Sequence, residues 1–527
     1  MADLPRSAAG NRSPWLIACI VSLATFMEVL DTTIANVALR HMAGGVGASQ
    51  DESTWILTTY LVTNAIVLPV SGYLATALGR KRFYMGCVAL FTVASLGCAL
   101  SPSLGVLLLC RAVQGIGGGG LAPAEQSILA DSFPPEQRSR AFALYGLTVV
   151  TAPAIGPALG GWITDNYSWH WIFLINLPVG ALSLFLVSVF VQEPEAVKQD
   201  RASFLREGGG IDWVGFLLAA VALGSLQIVL DRAVIDDGFW SPTITWLTVA
   251  CVVGFVALVP WERRQRAPAV NVRLFGYRSF LGAGLIMFLV AFTLFSTTQL
   301  LPQLTQDLMG YDATTAGLTL AVGGLATVFV MPLAGRVTGW VQPRWVIMVA
   351  LLWSGGALLY ATRIDLQVSF WTVSWLRILQ VMALPFLFVP ITTAAYVGLP
   401  PERTNDASAL INLMRNLGAS VGISVMNASI THGAQFHQSR LVESASASNP
   451  LWTDQLHQAE QALRGAGVGD WAASAAALPQ LAQQWAAQAQ ALAYIDAFWE
   501  LGVAVLLLWP LVFLMRDMPK GEAPRGH

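Results

Sequence analysis

Fourteen apolar runs of membrane-crossing length limit what this chain can fold into. They lie near residues 15–39, 53–76, 83–101, 104–130, 141–163, 171–191, 211–231, 241–261, 280–300, 315–335, 345–362, 371–398, 407–430 and 491–515. A hydrocarbon core of roughly 30 Å takes about 20 residues of helix, and a backbone with no water to bond must form helices or a closed barrel. These runs are too long for barrel strands, so the expected fold is an all-α integral membrane protein with 14 transmembrane helices. Only 11% of the 527 residues are charged, against roughly a quarter in soluble domains. The tail before the first run carries two arginines, but the run contains acids and lacks an A-x-A cleavage site, so it reads as a retained first helix rather than a signal peptide.

The distribution of Lys and Arg gives the orientation. With both termini on one side, that side holds 21 of the 29 basic residues, the other holds five, and Arg111, Arg377 and Arg415 lie within spans. Both termini are therefore expected in the cytoplasm. The two halves also repeat. Arg111 and Gln114 recur as Arg377 and Gln380, and Pro134, Pro135 and Glu136 recur as Pro400, Pro401 and Glu402. Pro69 and Gly72 recur as Pro332 and Gly335. Two parallel six-helix bundles around an inserted helix pair follow from this, an arrangement used by transporters that rock one half against the other around a midplane site. The expected divisions are an N-tail (1–14), a first bundle (15–195), a two-helix linker (196–265), a second bundle (266–515) with a long outer segment (431–490), and a C-tail (516–527). The outer segment is rich in Ala and Gln and reads either as amphipathic helices over the outer mouth or as a mobile spacer without a partner.

Ionisable groups inside a span are costly and point to function. Glu28 and Asp31 share a face of the first helix at i, i+3 spacing. Two neighbouring buried carboxylates oppose double ionisation, so at least one of them is expected to exchange a proton near neutral pH, the alternative being that each is permanently satisfied by a neighbouring helix. Arg111 cannot usefully deprotonate; its expected role is to hold a carboxylate in its charged form in one conformation and release it in another. Glu125 lies fourteen residues further along the same span, and spacing alone leaves open whether it shares a face with Arg111. Gly115, Gly117 and Gly120 match G-x-G-x-x-G, but within an apolar helix such residues read as close helix packing rather than nucleotide binding. Gly156, Pro157, Gly160 and Gly161 in the fifth span predict a bend at a helix crossing. Arg377 and Arg415 are the membrane-embedded charges of the second half.

These stretches together resemble the major facilitator superfamily, in particular its fourteen-span drug:proton antiporters, and are most similar to the inner-membrane subunit of EmrAB-type tripartite multidrug exporters. The resemblance rests on Leu30-Asp31-Thr32-Thr33-Ile34-Ala35-Asn36-Val37-Ala38, on the turn from Gly72 through Gly79 and Arg80 to Lys81, on Arg111 to Gly115 and on Gly156-Pro157. Trp169 to Asn176, Leu230-Asp231-Arg232 and Leu399 to Arg403 extend it. It implies proton coupling or substrate binding at Asp31, proton relay at Arg111, and gating at the Gly72–Lys81 turn and the Gly156-Pro157 element. It also implies that the outer segment faces a periplasmic adaptor, which would connect to an outer-membrane channel. Thr76 and Ala77 stand where the family carries an acid and a base, which removes a charge latch there, and Glu28 and Glu125 stand where neutral residues are usual, which favours cationic cargo.

The expected function is proton-coupled export of amphipathic drugs or toxic compounds across a bacterial inner membrane. The expected partners are lipid, small amphipathic substrates, protons, an adaptor and a channel. No cofactor, metal or nucleic acid is expected: the charges balance at a net −2 and no G-x-x-x-x-G-K-[ST] loop occurs. Two alternatives stand beside it. One is a stand-alone importer or exporter of one metabolite on the same fold. The other, a lipid enzyme, is disfavoured by six histidines at scattered spacing. The five cysteines form no CxxC pair and read as packing residues.

Overall fold

A computed structural model describes residues 13–134, 137–193, 198–199, 201–202, 212–233, 240–265, 268–364, 369–399, 403–443 and 450–514. Most of both tails and the repeated residues Pro135, Glu136, Pro400, Pro401 and Glu402 lie outside them. Every regular element among the described residues is helical. The first bundle comprises α1 (Pro14–Val46), α2 (Trp55–Leu78), α3 (Arg80–Ala99), α4 (Leu104–Ser132), α5 (Arg138–Asn166) and α6 (Asn176–Phe190). The inserted pair is α7 (Trp213–Arg232) and α8 (Pro242–Arg264). Then follow α9 (Arg278–Met309), α10 (Ala313–Trp340), α11 (Pro343–Ala361), α12 (Phe370–Val381 continued by Pro385–Ala395), α13 (Thr404–Glu443), α14 (Pro450–Gly465) and α15 (Asp470–Leu507). Thirteen spans are long and apolar enough to cross a bilayer, and α5, bent by about 40°, makes the fourteenth.

Local chemistry explains the ends. Pro14 opens α1 where its missing N–H costs nothing. Gly47 closes it in the left-handed conformation at φ +66°, its N–H donating to Ala43 O. Gly79, at φ +90°, makes the turn between α2 and α3, which a side chain would strain.

The long outer segment is built differently from helices laid across a mouth. α13 runs unbroken for 40 residues, about 60 Å at 1.5 Å per residue, twice the hydrocarbon core. α15 runs for 38 residues. These prolongations pair with each other through Ser429 Oγ donating to Glu500 (2.8 Å) and His437 against Asp496 (2.7 Å). The third helix, α14, packs on α15 with Trp452 against Trp485, ring centroids 4.8 Å apart.

On the side of the termini the two bundles meet through two equivalent seals. Gly72 of α2 lies against the start of α13, where a Cβ would stand 3.0 Å from the Asn405 backbone. Asn405 Nδ2 donates to Thr76 Oγ1 at 2.9 Å. In the repeat, Gly335 of α10 lies against the start of α5, where a Cβ would be 3.2 Å from Ala143 Cβ, and Ser139 Oγ donates to Gly335 O at 3.4 Å. Deeper in, Asn412 Nδ2 and Ser408 Oγ of α13 both donate to Gln126 Oε1 of α4, at 2.9 and 3.2 Å. Tyr145 OH donates to Asn412 Oδ1 at 2.8 Å.

Candidate functional site

Asp31 and Arg111, on α1 and α4, form an ion pair of 2.8 Å with both side chains 1% exposed. Neither is left half-satisfied, as a buried charge requires. Asp31 Oδ1 accepts from Asn176 Nδ2 (2.6 Å) and Gln114 Nε2 (3.1 Å), while Arg111 donates to Gln114 Oε1 (2.7 Å) and Ile56 O (3.1 Å). Ser95 Oγ accepts in turn from Gln114 Nε2 at 2.8 Å. The guanidinium sits 4.5 Å from the Tyr60 ring centroid. Tyr60 OH donates to Glu28 Oε1 at 2.8 Å, so one tyrosine touches both the arginine and the second carboxylate of α1.

Glu28 faces a cavity of about 540 Å³ and Asp31 does not line it. That volume suits a drug-sized organic molecule. Both bundles and α7 of the inserted pair build the wall. It runs from Glu28, Asn64 and Arg415 at mid-span to Asn36, Thr54, Asp307 and Thr431 at the helix ends away from the termini. With the seals at the other end, the cavity faces the side opposite the termini. Its polar stripes are Gln299, Gln303 and Asp307 on α9 and Asn416, Ser420, Ser424 and Asn427 on α13. Sequence reasoning passed over these residues, Asp307 included, although their spacing of three and four within apolar spans puts each set on one helix face. Asp231 of α7 also lines the cavity and accepts from Thr58, and its neighbour Arg232 donates to Thr54 Oγ1 at 2.7 Å.

Glu125 is elsewhere. It is buried between α4 and α1, where Ser22 Oγ donates to its Oε1 at 2.5 Å, and it does not line the cavity. Of the two acids read as adding negative charge there, only Glu28 does so. Arg415 lines the cavity and donates to Tyr145 OH, and Asn416 Nδ2 donates to Asn64 Oδ1 at 3.1 Å. Arg377 is buried away from it, held by Thr297 (3.1 Å), Thr298 (2.7 Å) and Gln380 (3.1 Å).

The glycines admit neighbours. α4 is continuous through Gly115–Gly120, and these glycines serve two helices. A Cβ at Gly117 would lie 2.7 Å from Phe91 N of α3, and one at Gly119 2.7 Å from Asn64 O of α2. On α5, a Cβ at Gly156 would strike Thr33 and one at Gly160 would be 3.2 Å from Ile34 Cα, both on α1. Gly161 O accepts from Thr164 at 3.1 Å. Pro157 and Ala158 are pressed by Gly317 of α10, whose added Cβ would be 2.7 Å from Ala158 N. The bent helix is thus wedged between the two bundles. At the Gly79 turn, Arg80 pairs with Asp131 at the end of α4, a partner that the sequence reading did not name.

The family model described as Major Facilitator Superfamily matches residues 21–423. The multidrug export protein EmrB of Escherichia coli strain K12 is 37% identical over 511 residues, 96% of each chain. The fatty acid resistance protein FarB of Neisseria gonorrhoeae is 33% identical over 450 residues, 85% of this chain and 86% of that one. Among solved structures, the human organic anion transporter MFSD10 shares the fold with a TM-score of 0.59 at 16% identity, covering 95% of this chain and 100% of that one.

Proposed function

Because the chain belongs to the major facilitator superfamily and is related over nearly its whole length to multidrug export proteins, we propose that it exports amphipathic compounds across the bacterial inner membrane in exchange for protons. The observation that carries this reading is the buried Asp31–Arg111 pair set behind Tyr60, one hydrogen bond from a carboxylate that faces a two-bundle cavity. Lys and Arg counts support cytoplasmic termini, and with that orientation the present arrangement is outward-facing.

Cargo leaves from the cavity, and a proton from outside takes its place on the α1 carboxylates. Protonation of Asp31 releases Arg111 within the first bundle, and rocking the bundles opens the terminal side, where the proton departs and new cargo binds. A membrane potential supplies roughly 2.3 kcal/mol per charge per 100 mV for this cycle. The prolonged α13 and α15, with α14, form the surface for a periplasmic adaptor leading to an outer-membrane channel. That one relative is named for multidrug export and another for fatty acid resistance supports amphipathic cargo of more than one kind.

The test is proton release from acid-loaded inverted vesicles on adding lipophilic cations, weak-acid uncouplers or long-chain fatty acids. Compound-dependent release by the wild-type protein that Asp31→Asn lacks is the expected result. Equal release by the two at equal expression overturns the coupling role.

A further inference from the structure

A second recess lies outside the transport cavity, in the cleft between α5 and α10 on the side of the termini. It is an open groove of about 360 Å³ whose floor is apolar, with Leu144 and Leu147 from the first bundle and Met331 from the second. Trp15, 41% exposed at the start of α1, forms one edge, and an interfacial tryptophan marks the depth of lipid headgroups. The remaining charged lining is Arg140 of α5 and Arg336 of α10, both exposed. Among the described residues, neither arginine has a hydrogen bond or ion pair and no carboxylate lines the groove. An apolar trough between two membrane-spanning helices, with two cations that have no partner among the described residues and a tryptophan of headgroup depth at its edge, has the chemistry of an anionic phospholipid site. The acyl chain satisfies the trough, and the phosphate accepts from guanidinium groups in the geometry that arginine favours.

We propose that this groove binds one anionic phospholipid, its headgroup bridging Arg140 and Arg336. One arginine comes from each bundle, and the groove lies directly over the Gly335 seal between α5 and α10. Parting the bundles on this side would separate the two arginines. A bound lipid therefore favours the conformation that is closed on the terminal side, independently of what the transport cavity carries.

Native mass spectrometry of the full-length protein in detergent tests this with phosphatidylglycerol, phosphatidylcholine and glycerophosphoglycerol, the last being the headgroup without chains. One phosphatidylglycerol should be retained in preference to phosphatidylcholine. At about fivefold per arginine, Arg140→Gln with Arg336→Gln should weaken it ~30-fold. Leu147→Trp, which fills the trough without changing charge, should weaken it as well, while Arg263→Gln with Arg264→Gln, at the end of α8, should not. Undiminished binding in the Arg140 and Arg336 double variant, no preference over phosphatidylcholine, or headgroup binding as tight as the lipid's would each overturn the proposal.

Discussion

The two bundles carry the same buried arginine in different company. Arg111 and Arg377 each bond a glutamine three residues on and a residue 80 positions earlier in the chain, but that earlier residue is Asp31 in the first bundle and Thr297 in the second. The first arginine has a carboxylate and stands at the wall of the cavity; the second has hydroxyls and an amide and stands away from it. The helices differ correspondingly. α4 stays continuous through its glycines, whereas the matching stretch of α12 breaks before Pro385, which has no N–H to give. The repeat has kept the scaffold and confined the titratable pair to one side.

The comparison breaks most directly on transport. Asp31→Asn should abolish proton-coupled export, and adding Thr297→Asp should not restore it, because the new carboxylate would pair with an arginine remote from the cavity; recovery in the double variant, read in the vesicle assay, would erase the distinction between the bundles. Stability should separate the arginines next. Arg111→Gln strands a buried carboxylate and should cost about 3–5 kcal/mol in thermal unfolding in detergent. Arg377→Gln removes a buried charge with no counter-ion among the described residues and should change stability by less than about 1 kcal/mol, or raise it. Thr297→Asp alone should stabilise by about 1.5–3 kcal/mol by giving Arg377 a charged acceptor.

Smaller effects sharpen the picture. Glu28→Gln should weaken binding of cationic cargo about tenfold while sparing neutral cargo, since one cavity charge at an effective dielectric near 20 contributes on that scale. Glu125→Gln, outside the cavity, should leave cargo preference unchanged; equilibrium binding of a fluorescent cation separates the two. At the seals, Gly72→Ala meets backbone that cannot yield and should disfavour the closed terminal side by about 1–3 kcal/mol. Gly335→Ala meets only the Ala143 methyl and should shift it less, as read from label distances between α2 and α13 and between α5 and α10.

Much of this architecture was legible before any coordinates. Fourteen runs gave fourteen spans because the bilayer imposes length and polarity on each segment separately, and the repeat of Arg111-x-x-Gln114 exposed the pairing of the bundles. The site was legible only in part. Asp31, Arg111 and Glu28 stood out as charges inside spans; Gln114 and Asn176 were legible as a repeated and a family-like residue but not as partners of the pair, and Ser95 and Tyr60 gave no signal, because neutral polar groups on an apolar helix are common. Thr297 was invisible for the same reason, its meaning lying entirely in what it replaces.

The sequence alone determined which segments cross the membrane, their order, the turn at Gly79, and which positions carry buried charge; these follow from interactions between near neighbours and from the solvent around each segment. Tertiary structure decided which faces meet. It joined Asp31 to Arg111 across 80 residues, turned Glu28 into the cavity and Glu125 out of it, prolonged α13 and α15 beyond the bilayer, and sealed the bundles at Gly72 and Gly335. Those outcomes depend on helix rotation and on the fit between surfaces distant in the chain, which the spacing of residues along one helix does not contain.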